Sequence, residues 1–247
     1  MNTDFRPCIV VPCYNHGREL AGYLPGLSAS GIPVIVVNDG SNAEETVIIR
    51  DAVLANCCEL VDLPTNGGKW AAVREGMNAA LKKGYTHVLQ CDADGQHDAA
   101  AIPDFITAAQ DAPGHMILGE PLYGDDAPSA RRKGRCVTNF FVWLETAGAC
   151  KHDAMCGFRV YPLARTLRIL NNCRISPGMA GDIEILVRLY WDGMPVQARS
   201  VKVCYPEGGR SNFRMLRDNV LISWAHTQLC TGALLHPWRL VKAHRPR

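Results

Sequence analysis

The sequence predicts an α/β fold, a mostly parallel central sheet covered by helices on both faces. Three observations carry this expectation. Short runs rich in β-forming residues alternate with helical patterns through the first half of the chain, the rhythm of β-α-β units. The runs are nearly continuously apolar rather than alternating, as strands buried on both faces are. Four of them end in polar clusters, and parallel sheets bind ligands in the loops at the carboxyl ends of their strands.

In chain order, CIVVPC (8–13) is the first strand and leads into Tyr14, Asn15 and His16. VIVVN (34–38) is the second and ends in Asn38-Asp39-Gly40-Ser41. CELVDL (58–63) precedes Asn66-Gly67-Gly68-Lys69. The clearest helix follows, KWAAVREGMNAALKKG (69–84). Trp70, Val73, Met77 and Ala80 recur there at helical spacing, Lys82 and Lys83 lie near the end, and Gly84 is a stop. THVLQC (86–91) is a fourth strand, and HMILG (115–119) a fifth.

The second half is less regular. Residues 130–148 read as a helix, and MCGFRVYP (155–162) as a strand with a turn before it. Residues 181–193 read as a helix with Ile183, Leu186, Val187 and Tyr190 on one face. An alternating strand (194–206) and a helix (213–235) complete the pattern. No Pro/Gly/Ser-rich linker divides the chain. We expect one domain over 1–247, with a core at 7–214 and a C-terminal helix and basic tail at 215–247.

Composition excludes several classes. With 47% hydrophobic and 20% charged residues the 247-residue chain resembles ordinary soluble globular proteins. A net charge of +2 gives no case for a nucleic-acid partner. The 11 cysteines contain no CxxC pair, which suits a reducing cytoplasm better than a disulfide scaffold. The start lacks the basic and apolar regions of a signal peptide. The uncharged apolar stretch from Val220 to Leu235 is shorter than the roughly 20 residues needed to span a bilayer. The expected location is cytoplasmic, at the inner face of the membrane.

The chemistry concentrates in LQCDADGQHD (89–98). Asp92 and Asp94 stand two residues apart at a strand end, so both lean to the same side. Like charges this close repel unless a cation lies between them. Two carboxylates with the Gln96 amide oxygen nearby suit Mg²⁺ or Mn²⁺, which take their remaining ligands from water and substrate phosphates. The plain alternative is that the pair caps the loop and the helix at 99–109. Asp39 can be an ordinary turn residue or an acceptor for a base or ribose. Asn66 to Lys69 offer backbone N–H groups to an anion at a helix start, without the spacing of a P-loop.

VPCYNH, VVNDGSNAEET, NGGKWAAVREG, CDADGQHD and DAMCGFRVY, in this order and spacing, resemble inverting glycosyltransferase family 2. The branch resembled is the polyprenyl-phosphate sugar transferases and their bacterial relatives. The resemblance spans about residues 7 to 214. It implies a GT-A fold, with the DxD motif holding Mg²⁺ or Mn²⁺ on a nucleotide-sugar diphosphate. It implies that Pro12, Tyr14 and Asp39 line the nucleotide pocket, joined by Asn15 and Lys69 from the loops after the first and third strands. Asp92 and Asp94 would serve metal and ribose-diphosphate, with Gln96 a further metal ligand. Where the family often carries Glu and Asp, this chain has His16 and Asn38, which removes negative charge beside the base.

A phosphate acceptor is largely ionised near neutral pH and needs no base. A hydroxyl acceptor needs one, and Asp153, Asp182 and Glu184 are the candidates. The last two are i and i+2 on a helix and do not share a face; helix charge balance is the plain alternative for either. Arg159 is expected to meet the diphosphate or the acceptor, and Arg210 the diphosphate, with Arg214 close to Arg210. The basic run Arg131, Arg132, Lys133, Arg135 is a solvated helix start or a site for acceptor phosphate or anionic lipid. In the C-terminal helix Ser223, His226 and Thr227 form one narrow polar edge. With Trp238 beyond it, this helix either packs on the domain or lies in a membrane interface, which makes a polyprenyl-phosphate or other lipid acceptor plausible. Two other readings stand beside this one. A haloacid-dehalogenase-type phosphatase would carry its DxD on the first strand, with Thr or Val where this chain has Gly95. A non-catalytic nucleotide-sugar-binding protein would lack acceptor-side residues such as Asp153 and Arg159.

Overall fold

In the computed structural model residues 5–123, 129–204 and 215–244 are described. Among them, strands β1 (Pro7–Cys13), β2 (Val34–Asp39), β3 (Glu59–Leu63), β4 (His87–Gln90), β5 (Met116–Tyr123), β6 (Arg159–Pro162) and β7 (Val196–Val203) form one sheet. Its order is β3-β2-β1-β4-β6-β5-β7. β1 pairs in parallel with β2 and β4, β2 with β3, and β5 with β7. Only β6 runs antiparallel to its neighbours β4 and β5. The expected parallel sheet is present, with one reversed strand inside it.

Burial on both faces explains the continuous apolar runs. Along β1, Cys8 and Val10 enter one core cluster while Ile9, Val11 and Cys13 enter the other. The second cluster is closed by α1 (Gly17–Ser28), α2 (Ala43–Ala55) and α4 (Ile102–Asp111). The first lies under α3 (Lys69–Lys82), α5 (Ser129–Glu145), α6 (Leu163–Asn172), α7 (Met179–Trp191) and α8 (Met215–Leu235), with α9 (Trp238–Ala243) at the end. The predicted α3 face holds, since Trp70, Val73, Met77 and Ala80 are all buried. Gly76 lets α3 approach β1; a Cβ there would stand 2.5 Å from Val10 Cγ1. Asn42 caps α2 by accepting from the Glu45 N–H, and Glu45 reaches across to accept from Gly17 N at the start of α1.

Two helices depart from the sequence expectation. α7 shows no one-sided face, because Ala180 to Val187 are buried all round. It runs inside the first core against α5, α6, α8 and α9. α6 has no counterpart in the sequence reading, although Leu163, Leu167 and Leu170 are buried at helical spacing. β6 is also shorter than the expected 155–162. The segment before it is a loop tied down by side chains of the site. α8 is polarised in an unusual way. Ile222, Ala225 and Leu229 pack into the first core, while Leu216, Val220, Trp224, Leu234 and Leu235 are exposed.

Candidate active site

A cavity of about 1510 Å³ opens at the carboxyl ends of β1, β2 and β4 and continues between α5 and α8. Its strand-end wall includes Pro12, Tyr14, Asp39, Lys69, Asp92, Asp94 and Gln96, so seven of the expected residues come together. Asn15 does not line it. This residue adopts φ 53° and braces two loops: its N–H donates to Ser41 Oγ, and its Oδ1 accepts from Asn42 N.

Asp39, at the end of β2, holds the next loop in shape. Its Oδ1 accepts from Gly67 N at 2.8 Å, and its Oδ2 accepts from Gly68 N at 2.9 Å and Asn66 Nδ2 at 3.0 Å. Burial pushes the Asp39 carboxyl up, against the pull of those two N–H groups. The turn so formed delivers Lys69 at the first position of α3. Lys69 Nζ lies 2.8 Å from Asp92 Oδ1 and 2.9 Å from Asp182 Oδ2. Burial favours its neutral amine, but Asp182 and then Asp92 outweigh burial and keep it an ammonium. Lys69 therefore pairs with two carboxylates while still lining the cavity. Gly157 makes room for this pairing, since a Cβ there would stand 2.7 Å from Asp92 Oδ2 and 3.0 Å from Lys69 Nζ.

The two acids of the DxD differ. Burial works to raise the Asp92 carboxyl, and Lys69 beside it overrides burial and holds it below its ordinary value. Asp94 has no such ion pair among the described residues. Its Oδ1 accepts only from Gln96 N, and burial followed by the charge of Asp92 pushes its carboxyl up to about 6. Hard oxygens on the cavity wall, with one carboxylate lacking a direct ion pair among the described residues, fit a divalent cation that completes its shell with diphosphate and water. Among the described residues no group of three or more His, Cys, Asp or Glu side chains could cage a metal unaided.

The acceptor-side expectations change. Asp182 is fully buried, its Oδ2 on Lys69; it is the inner counter-ion of the lysine and does not reach the cavity. Glu184 is buried too, accepting from Ser176 N at 3.3 Å and lying 3.7 Å from Arg188. Asp153 Oδ1 accepts from Arg135 Nη1 at 2.7 Å and from Met155 N and Cys156 N. It shapes the loop before β6, and Arg135, Met155 and Cys156 line the cavity in its place. Arg159 does not line the cavity either. Its fully buried guanidinium donates to the carbonyls of Ala154, Cys156 and Asp182 and to Tyr161 Oη. Arg210 and Arg214 lie outside the described residues, and of Arg131 to Lys133 only the helical backbone is described.

The far wall of the cavity was not assembled by sequence reasoning. It comes from Val137, Thr138 and Phe141 on α5 and from Ile222, His226 and Thr227 on α8. The signal was present in the polar edge Ser223-His226-Thr227, which turns toward the cavity.

Comparison with known proteins agrees with this geometry. Residues 8–167 match the family described as Glycosyl transferase family 2. Over 169 residues the chain is 33% identical to undecaprenyl-phosphate 4-deoxy-4-formamido-L-arabinose transferase of Aeromonas hydrophila, covering 65% of this chain and 50% of that protein. It is 24% identical over 208 residues to an uncharacterized protein of Methanocaldococcus jannaschii, covering 79% of this chain and 87% of the relative. Among solved structures, glucosyl-3-phosphoglycerate synthase from Mycobacterium tuberculosis, in complex with Mn²⁺, UDP and phosphoglyceric acid, aligns with a TM-score of 0.65. The identity is 15%, over 98% of this chain and 80% of that one. At such identity the likeness is one of fold.

Proposed function

Because the chain belongs to glycosyl transferase family 2, and is a glycosyltransferase with the GT-A fold, we propose that it transfers a sugar, with inversion, from a nucleotide-diphosphate donor to a lipid-linked acceptor at a membrane face. The observation that carries this reading is the unequal DxD pair, Asp92 ion-paired to Lys69 and Asp94 without a direct ion pair on the cavity wall. A divalent ion there, Mg²⁺ or Mn²⁺, would supply neutralisation of the charge gathering on the leaving diphosphate. Asp92, Asp94 and Gln96 are the residues to hold it. Pro12, Tyr14 and Asp39 flank the place for the nucleoside.

The acceptor is best read as a phosphate. None of Asp153, Asp182 and Glu184 lines the cavity, and an ionised phosphate requires no base to become a nucleophile. The Aeromonas relative is named for undecaprenyl-phosphate, which supports the same reading. A thermal-shift screen of UDP, GDP, CDP and dTDP sugars with and without Mn²⁺ tests the donor half. A ligand that binds only the folded state stabilises it by about 2.7 kcal/mol at 100 times its Kd. One nucleotide sugar should stabilise, and only with metal; no shift with any of them would sink the proposal.

Contact with the membrane rests on α5, α8 and α9. No helix among the described residues is long and apolar enough to cross a bilayer. Yet Phe140, Trp143, Trp224, Leu234, Leu235 and Trp238 are exposed on these three helices. The sequence from Asn219 to Arg247 carries Arg239, Lys242, Arg245 and Arg247 and no acidic residue. Exposed apolar side chains in a segment rich in basic residues suit an anionic interface. The protein should co-sediment with phosphatidylglycerol vesicles and much less with phosphatidylcholine ones, and the double variant Trp224→Ser/Trp238→Ser should stay largely in the supernatant. Equal binding by wild type and variant would reject this face.

A further inference from the structure

At about 1510 Å³ the cavity exceeds the roughly 300–1,000 Å³ of ordinary ligand pockets. A nucleotide sugar on the strand ends leaves the arm between α5 and α8 unused. That arm is long: its α8 lining runs from Arg217 to Leu234, about 26 Å at 1.5 Å per residue. Its walls are largely apolar, with Val137 and Phe141 facing Leu221 and Ile222, and it ends at Leu234, which is 81% exposed. The arm therefore opens onto the exposed apolar side of α8.

One polar device is built into it. His226 is only 6% exposed, lines the arm, and leaves Nε2 without a hydrogen-bond partner. Its Nδ1 lies 2.7 Å from Oε1 of Glu145, itself buried, at the end of α5. Phe141 packs on the imidazole with ring centroids 5.0 Å apart. The arm thus presents a buried ring nitrogen that nothing among the described residues satisfies, and buried polar atoms are ordinarily satisfied.

We propose that the arm between α5 and α8 is the acceptor subsite, that it takes the extended chain of an amphiphile, and that His226 Nε2 hydrogen-bonds its head group. Glu145 is the positioning residue that fixes the ring. This deepens the proposed transfer to a lipid-linked acceptor and rests on it.

The test uses decyl phosphate below its micelle concentration, titrated calorimetrically into protein already saturated with metal and the stabilising nucleotide. Wild type should bind it. His226→Ala should lose about tenfold in affinity, as expected for a hydrogen bond to a charged group, with nucleotide–metal binding unchanged. Thr227→Trp, at an exposed position of the arm and so tolerable to the fold, should abolish binding by filling the space. Glu145→Gln should shift the imidazole nitrogen resonances of His226, a signature that loss of packing alone would not give. If decyl phosphate fails to bind while nucleotide and metal do, or if both arm variants bind it like wild type, the subsite is refuted and the donor reading stands. If nucleotide and metal also fail to bind, the proposed metal-assisted transfer from a nucleotide donor falls and the subsite with it.

Discussion

Asp94→Asn is expected to reduce metal-dependent sugar transfer by about a thousandfold without weakening the fold. A metal at a developing charge contributes several kcal/mol to the barrier, and each ~1.4 kcal/mol is tenfold in rate. The stability side follows from the sign of the shift. Burial and the neighbouring Asp92 push the Asp94 carboxyl up to about 6. Its ionised form therefore costs stability above that pH. Asn removes the charge and keeps the shape, so at pH 7.5 the melting temperature should hold or rise. The nucleotide–metal stabilisation of the thermal-shift screen should disappear. Transfer at the wild-type rate, or a fall in melting temperature to match the fall in rate, would remove Asp94 from the metal site.

The second large effect belongs to Arg159. Arg159→Met should cost about 4 kcal/mol, read as a lowered urea midpoint. Removal of one partner from a buried charged network costs ~3–5 kcal/mol, and here the carbonyls of Ala154, Cys156 and Asp182 all lose their donor. Set against a total of about 5–15 kcal/mol for a folded domain, that is a large share. Arg159→Lys should not rescue, because one ammonium cannot reproduce a planar fork that spans three directions. A midpoint within error of wild type for Arg159→Met would show that the guanidinium is not what fixes the 154–156 loop.

The contrast between these two residues marks how far the sequence could be read. Asp92 and Asp94 were legible because they follow a strand whose carboxyl end opens on the site, although β4 stops at Gln90 and a turn, not the strand, sets where they point. The parallel sheet was legible for a related reason, since burial on both faces removes polar alternation. Arg159 could be placed on its strand, yet its partners are carbonyls from a loop and from α7, which only the tertiary fold brings near. Lys69 and Asp182 meet across 113 positions of sequence, and no local pattern announces such a pair. The orientation of Asp182 and Glu184 was equally hidden, because α7 is buried all round and has no polar face to set its rotation. On α8 the polar edge could be drawn from spacing alone. That it faces a cavity, and that the apolar side faces out, depends on what packs against it.

The placement of Lys69 between Asp92 and Asp182 has a consequence for how the protein lives before it works. In small metal-organised domains the ion's binding energy is folding energy, and the apo chain is unfolded. Here the chain carries its own cation into the most crowded acidic spot of the site. The fold should therefore not wait on a divalent ion: a chelator is expected to leave the melting temperature of the unliganded protein unchanged, because Lys69 already pairs with both acids.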